Sequence, residues 1–263
     1  MTDTSLDAFP DRSVAMVRAF SPALQRALLV SGAIAIVVAI LGTPLVADRV
    51  PFPIGPVVVA GLGTLVGIAA GYLSVPADLR RAYEAYSWLG RTETERFKAR
   101  TGGPVPVDPN QIDRWLASTP STSATRMARI EMLAFVGRHE DARRELDGLA
   151  PVSPEDRFEA ASLRQYLDWL ETGVSDTSEL ASTAAALPAG SIALRMAEVT
   201  LALADARVGF VQRDRTWSTP LRDVRPSLGG AAAIVVFRDT WLKFAGLSFV
   251  AAAGVGLLVL LLR

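Results

Sequence analysis

The sequence predicts an all-α protein: three transmembrane helices, with a soluble domain of helical hairpins inserted between the second and third. Three observations predict it. Three stretches carry no charged side chain: Ala27–Ala47, Val50–Ala77 and Phe244–Leu262, of 21, 28 and 19 residues. A hydrocarbon core about 30 Å thick needs roughly 20 apolar helical residues, and a charge at its centre costs several kcal/mol. The stretch between the second and third is polar, rich in Ala, Leu, Arg and Glu, and its apolar residues recur every three to four positions. Within it Pro120, Pro154, Pro188 and Pro220 stand 34, 34 and 32 residues apart.

Residues 1–26 form an N-terminal segment. Val14, Val17, Phe20, Leu24 and Leu28 recur at helical spacing among Arg12, Arg18 and Arg26, which suits an amphipathic helix along the membrane interface. Pro22 equally suits a simple turn. The leader holds Asp3, Asp7 and Asp11, and the apolar run after it is too long for a signal-peptide core, so an uncleaved helix is expected. The first span is then 27–47 and the second 54–76, a hairpin whose turn contains Pro51, Pro53 and Pro56.

In the second span Gly63, Gly67 and Gly71 share one helical face, and Ser248, Ala252 and Gly256 repeat the pattern in the third, 243–262. Small residues let helix backbones approach closely, and dispersion contact is the main attraction available in lipid. A helix-packing face is expected at these six positions. The spans' polar side chains are Ser31, Thr43, Thr64, Tyr72, Ser74 and Ser248. None is ionisable in the manner that ion pathways and proton relays require, which argues against a pump or intramembrane protease.

Basic residues cluster at particular span ends: Arg12, Arg18 and Arg26 before the first; Arg80, Arg81, Arg91, Arg96, Lys98 and Arg100 after the second; Arg238 and Lys243 before the third. The positive-inside rule then places the N-terminus and the soluble domain in the cytoplasm and the C-terminus outside. Arg outnumbers Lys 25 to 2 beside abundant Ala and Val, the composition of a product of a GC-rich bacterial genome, so the membrane expected is a bacterial inner membrane. Net charge is zero, but the membrane-proximal ends of the soluble region are basic, while 131–185 holds twelve acidic residues against five basic. Arg80, Arg81, Arg213, Arg215, Arg222 and Arg225 are therefore candidate lipid-headgroup contacts.

Residues 77–107 read as a juxtamembrane helix and linker, and 108–235 as the helical-repeat domain. Asp108-Pro109-Asn110-Gln111, Ser153-Pro154-Glu155-Asp156 and Asp176-x-x-Glu179 are helix starts, with weaker ones at Thr119-Pro120 and Thr219-Pro220. Gly137, Gly148, Gly173 and Gly209 suit helix ends. The longer helices carry Met127, Ile130, Leu133 and Val136; then Phe158, Leu163, Tyr166 and Leu170; then Ile192, Leu194, Met196, Val199 and Leu203.

A helix-turn-helix unit repeating near 34 residues is the pattern of helical-repeat arrays. Residues 132–146, with a short turn at Gly137, acids at Glu140 and Asp141, a packing alanine at Ala142 and Pro154 a dozen residues on, resemble the central part of a tetratricopeptide (TPR) repeat. The family's first-helix tryptophan and small residue fall on Arg126 and Ile130 here. The resemblance covers Pro120 to Pro220 and implies a TPR-like array whose concave face binds a partner protein. Candidate groove residues are Arg126, Arg129, Arg164 and Gln165. The competing reading is an irregular helical bundle.

Chemistry is sparsely signalled. The chain has no cysteine and a single histidine, His139, which excludes thiolate and His-pair metal sites. Phosphate loops, dinucleotide glycine motifs and nucleophile elbows are missing. His139 and the acid pairs Glu140–Asp141 and Glu155–Asp156 suit helix starts, where the macrodipole favours the acids. Trp88, Trp115, Trp169 and Trp217 read as core anchors, and Trp241 as an interfacial belt residue. No catalytic residue, metal or cofactor is expected, and no nucleic-acid partner or small-molecule substrate. The expected role is binding: a membrane-anchored adaptor or scaffold that engages the bilayer and a protein partner. The alternative is an accessory subunit of a larger membrane transport or envelope-biogenesis complex.

Overall fold

The computed structural model describes residues 9–47, 49–52, 54–106, 108–122, 125–225, 228 and 242–262. Its described regular structure is helical, with no strand among these residues. The chain divides into two compact units. One takes the described residues of Val17–Glu84 and Gly230–Arg263; the other takes those of Met1–Met16 and Ala85–Gly229.

The first unit holds three helices long and apolar enough to cross a membrane, at Ala15–Ala47, Ile54–Ser74 and Phe244–Leu261. They lie in α1 (Phe9–Ala47), α2 (Ile54–Ser74) and α10 (Leu242–Leu261). Helix α1 runs uninterrupted through Pro22 and Pro44, so no turn forms at Pro22, and the amphipathic stretch joins the first span as one helix. A proline removes one backbone hydrogen bond and does not by itself end a helix whose apolar spacing continues. Pro56 belongs to the first turn of α2 rather than to the hairpin turn; amides there have no helical acceptor to lose. Helix α2 stops at Ser74 because Pro76 disfavours helical geometry at the residue before it, and α3 (Ala77–Thr101) restarts directly after.

Small residues form the interior of this unit. A Cβ on Gly63 would sit 2.9 Å from the Ala35 carbonyl oxygen, and one on Gly67 would collide with the Ser31 carbonyl. Gly71 is buried on the same face. Helix α10 packs along α2, with Ala252 fully buried beside Ala35, Ala39 and Ala60. Gly256 lies 3.0 Å from the Thr43 hydroxyl, measured from the Cβ it lacks, and Ser248 is half-buried. The bulky side chains point away: Leu29, Leu41, Leu45, Leu62, Leu65 and Leu73 are all exposed. At the base of the unit the Tyr72 hydroxyl donates to the buried carboxylate of Glu84, and the Arg80 guanidinium stacks 4.9 Å over the Tyr72 ring.

Besides the described residues of Met1–Met16, the second unit takes residues 85–101 of α3, which the sequence assigned to a juxtamembrane helix and linker. It continues through α4 (Pro109–Ser118), α5 (Arg126–Phe135), α6 (His139–Asp147), α7 (Pro154–Thr172), α8 (Ser178–Ala184) and α9 (Ile192–Val211), and residues 219–225 are again helical. Capping chemistry sets these boundaries. The Asp108 carboxylate accepts from the Asn110 and Gln111 amides, with Pro109 at the first helical position. Ser153 and Asp156 form a reciprocal capping box at α7: the Asp156 amide donates to Ser153 Oγ at 3.0 Å, and the Ser153 amide to Asp156 Oδ2 at 3.1 Å. Gly173 ends α7 at φ 72°, a left-handed conformation that favours glycine. Gly209 is no stop. It lies inside α9, where a Cβ would press within 3.0 Å of Trp217, and the chain turns four residues later at Arg213, φ 58°.

Helices α5 and α6 form one antiparallel pair and α7 and α8 another. The first helices stand side by side, α5 against α7 and α7 against α9, while α6 touches α7 and α8 touches α9. One core is built from Ile112, Leu116, Met127, Ile130, Leu133, Ala142, Leu146 and Leu167; a second from Phe158, Ala161, Leu180, Leu187 and Ala197. Ion pairs stitch successive pairs together: Arg143 of α6 reaches Asp168 and Glu171 of α7, each at 2.7 Å.

Candidate functional site

Helix α3 presents one stripe to this array. Glu93, Arg96, Phe97 and Arg100 are spaced three, four and seven residues apart, which places them on one helical face. Tyr86, a further seven residues back, continues that line. Phe97 anchors the stripe. It is 3% exposed, packs into the first core and tilts against Trp115 of α4 at 5.3 Å between ring centres.

The polar members meet α5, α7 and α9. Glu159 of α7 receives both arginines on its two carboxylate oxygens: Arg100 Nη2 donates to Oε2 at 2.6 Å, and Arg96 Nη2 to Oε1. Its side chain is only 10% exposed, whereas Arg96 and Arg100 retain 28% and 24%. Arg96 also reaches Met196 Sδ of α9 at 3.6 Å. An ionised carboxylate this enclosed is tolerated because both its oxygens are engaged by cations.

Beside this clamp lies a second group. Burial pushes the Glu93 carboxyl up to about 7, nearby Glu131 of α5 adds to that rise, and Arg96 and Arg207 of α9 pull back. Glu93 as a whole residue is nevertheless solvent-exposed. Glu131 is raised as well, by burial against the opposing pull of Arg100 and Arg96. Arg96 is lowered by its own desolvation and then by Arg100. Arg207 stacks over Tyr166 and Trp169 of α7, 5.2 Å from each ring centre, an arrangement that stabilises a partly dehydrated cation. Tyr86 is raised by burial and drawn back by Arg207. Three cations and three acids from four helices thus share one seam.

The sequence marked Arg96 and Arg100 only as part of a basic flank and did not single out Glu93, Glu131, Glu159 or Arg207. The available signal was the stripe Glu93-x-x-Arg96-Phe97-x-x-Arg100. The groove candidates lie elsewhere. Arg129 binds Glu145 of α6 at 2.8 Å and the Leu116 and Thr119 carbonyls, while Arg126 holds the Gly148 carbonyl at 2.8 Å. Arg164 pairs with Glu179 of α8, and Gln165 is buried with its amide donating to Ser175. All four have their polar ends tied within or beside their own hairpins.

Of the headgroup candidates, Arg80 stacks on Tyr72 and Arg81 pairs with Asp78 at 2.8 Å. Arg213, Arg215, Arg222 and Arg225 are exposed. His139 opens α6 half-buried, and Trp169 and Trp88 are buried. Trp217 stacks edge-on against Phe210 at 5.1 Å. Trp241 lies outside the described residues. Tyr83 joins the membrane unit, its ring edge-on to Phe20 at 5.4 Å. Compared with known protein families, curated proteins and solved structures, the chain matches none.

Proposed function

We propose that this chain is a membrane-anchored adaptor whose TPR-like helical unit holds a protein partner at the cytoplasmic face of a bacterial inner membrane. The observation that carries the reading is the alignment of α5, α7 and α9 as successive first helices of neighbouring hairpins. Such stacking produces a continuous surface made of equivalent helix faces, the geometry on which repeat proteins seat extended or helical ligands. Basic residues flanking the spans support the orientation. Attachment to membrane helices at both ends raises the effective concentration of any partner site near the bilayer.

A second reading, an accessory subunit of a larger membrane transport or envelope-biogenesis complex, draws on Gly61 and Gly254. Both lie in membrane helices with open space where a side chain would be. A neighbouring helix could approach there as α1 approaches Gly67.

Site-specific photo-crosslinking in intact cells separates the two. Probes on α7 and α9 that trap one soluble protein support the adaptor. Probes at Gly61 and Gly254 that alone trap a membrane protein support the subunit. Trapping from neither set, or a reporter fused at residue 150 that reads as external, overturns the proposal.

A further inference from the structure

We infer that the membrane unit carries a seat for one phospholipid, at the crevice where α1, α2 and the start of α3 meet, with Arg80 taking the lipid's phosphate and the apolar wall taking the first methylenes of an acyl chain. The inference goes beyond the adaptor reading and does not depend on it. It needs only the membrane spans.

The crevice is lined by Phe20, Ala23 and Leu24 of α1, by Val75 between α2 and α3, and by Leu79 and Arg80 of α3. Phe20, Ala23 and Leu24 fall on one face of α1, and Ala23 is the smallest side chain among them. The wall that remains accessible is apolar, and the crevice is shallow, so it seats the beginning of a chain and not the whole of one. Charge sets its level in the unit. On α1 the lining residues precede Arg26, and the charge-free stretch starts at Ala27; on the other wall the charge-free stretch ends at Ala77, between Val75 and Leu79. The crevice therefore straddles the boundary between hydrocarbon and headgroups, where lipid is the solvent that covers it.

The rim supplies a cation whose neighbouring acids are already engaged. Arg81 pairs with Asp78 at 2.8 Å, and the Glu84 carboxylate accepts from the Tyr72 hydroxyl. Arg80 is left stacked on the Tyr72 ring, 4.9 Å from its centre, with no carboxylate paired to it among the described residues. Stacking holds the guanidinium in place without using its N–H donors, and a guanidinium so placed binds a phosphate through two parallel hydrogen bonds. A phosphate and an acyl chain on one molecule satisfy both halves of the seat. Basic pockets beside membrane helices take lipid headgroups on the same grounds.

The test uses the full chain in mild detergent, stripped of lipid and titrated with phosphatidylglycerol, with diacylglycerol as the phosphate-free arm. Native mass spectrometry counts the lipids retained. Wild type should hold one phosphatidylglycerol ahead of all others and hold diacylglycerol more weakly. Arg80→Gln should weaken that first site about tenfold, the loss of one charge-assisted contact. Arg114→Gln, at an exposed arginine of the other unit, should leave it unchanged. Equal binding by the two arginine variants, or diacylglycerol held as tightly as phosphatidylglycerol, overturns the inference. Should Arg80→Gln lower the helicity of the chain, wild type decides. A phosphatidylglycerol with a photoreactive diazirine near the glycerol end of one chain must then label residues 20–24 and 75–79 above the exposed Leu41 and Leu65, and even labelling overturns the inference. Failure here leaves the adaptor reading standing, because protein crosslinks from α7 and α9 decide that one.

Discussion

Replacing Glu159 by Gln is the most direct measure of how strongly α3 is held. Charge-assisted hydrogen bonds contribute roughly 1.5–3 kcal/mol each, and breaking a fully buried ion pair costs about 3–5 kcal/mol. Here the carboxylate is enclosed, but the two guanidiniums keep about a quarter of their exposure and can recover part of their hydration. Gln preserves shape and one acceptor. These offsets bring the expected loss to about 2 kcal/mol, close to a 30-fold change in the opening equilibrium of α3 at roughly 1.4 kcal/mol per tenfold. Hydrogen–deuterium exchange in mild detergent reads that opening locally, which matters because the chain has two units and global unfolding need not be two-state. Protection across residues 93–101 should fall about 30-fold, while protection of α2, in the other unit, stays as in wild type. Combining Glu159→Gln with Arg100→Gln should cost less than the sum of the two, since both remove one interaction. A protection change below twofold would show that Phe97 alone seats the helix and that the ion pairs are ornament.

Three further outcomes are expected. Gly67→Ala places a methyl against the Ser31 carbonyl and should lower the thermal stability of the detergent-solubilised protein, whereas Gly61→Ala, with open space at its Cβ, should leave it unchanged; equal effects would refute the packing described. Glu93 ionises near 7 in the folded state against an ordinary 4.5, so the folded state holds a proton that the unfolded state releases between those values. Stability of the helical unit is therefore full below about 4.5, falls as pH rises, and levels off above about 7; solvent contact limits the effect to about 1 kcal/mol, and Glu93→Gln should flatten that limb in a pH series of exchange measurements. Ser153→Ala removes the capping box and should cost about 1 kcal/mol, seen as faster exchange in the first turn of α7 and absent from α9.

The membrane helices were legible because lipid imposes a single, coarse demand, length without charge, that composition meets openly. Helix starts at Pro109 and Pro154 were legible because caps are local chemistry. Two local signals misled. Gly209 looked like a helix end, yet its missing side chain serves the approach of Trp217, a contact with a residue eight positions on. Pro22 offered a turn, yet the helix passes through it. The larger omission was the second half of α3. Its inward stripe is made of Glu and Arg with one Phe, and apolar periodicity does not register an interface built from ion pairs. Arg126, Arg129, Arg164 and Gln165 were read as groove residues from position on the first helices alone. Their partners, Glu145, the Gly148 carbonyl, Glu179 and Ser175, come from neighbouring turns and helices whose placement only the tertiary fold reveals.

Alanine, glycine and hydroxyl groups fill the inside of the bilayer-crossing unit, and leucine clothes its outside. Water plays almost no part in holding such helices together, because neither face gains by hiding from lipid. What remains is fit, and fit is unforgiving of a single added carbon while indifferent to which greasy residue decorates the rim. Sequence drift in a protein of this design is therefore expected to run freely over its leucines and to stall at the glycines that a neighbouring helix touches, Gly63 and Gly67 first among them.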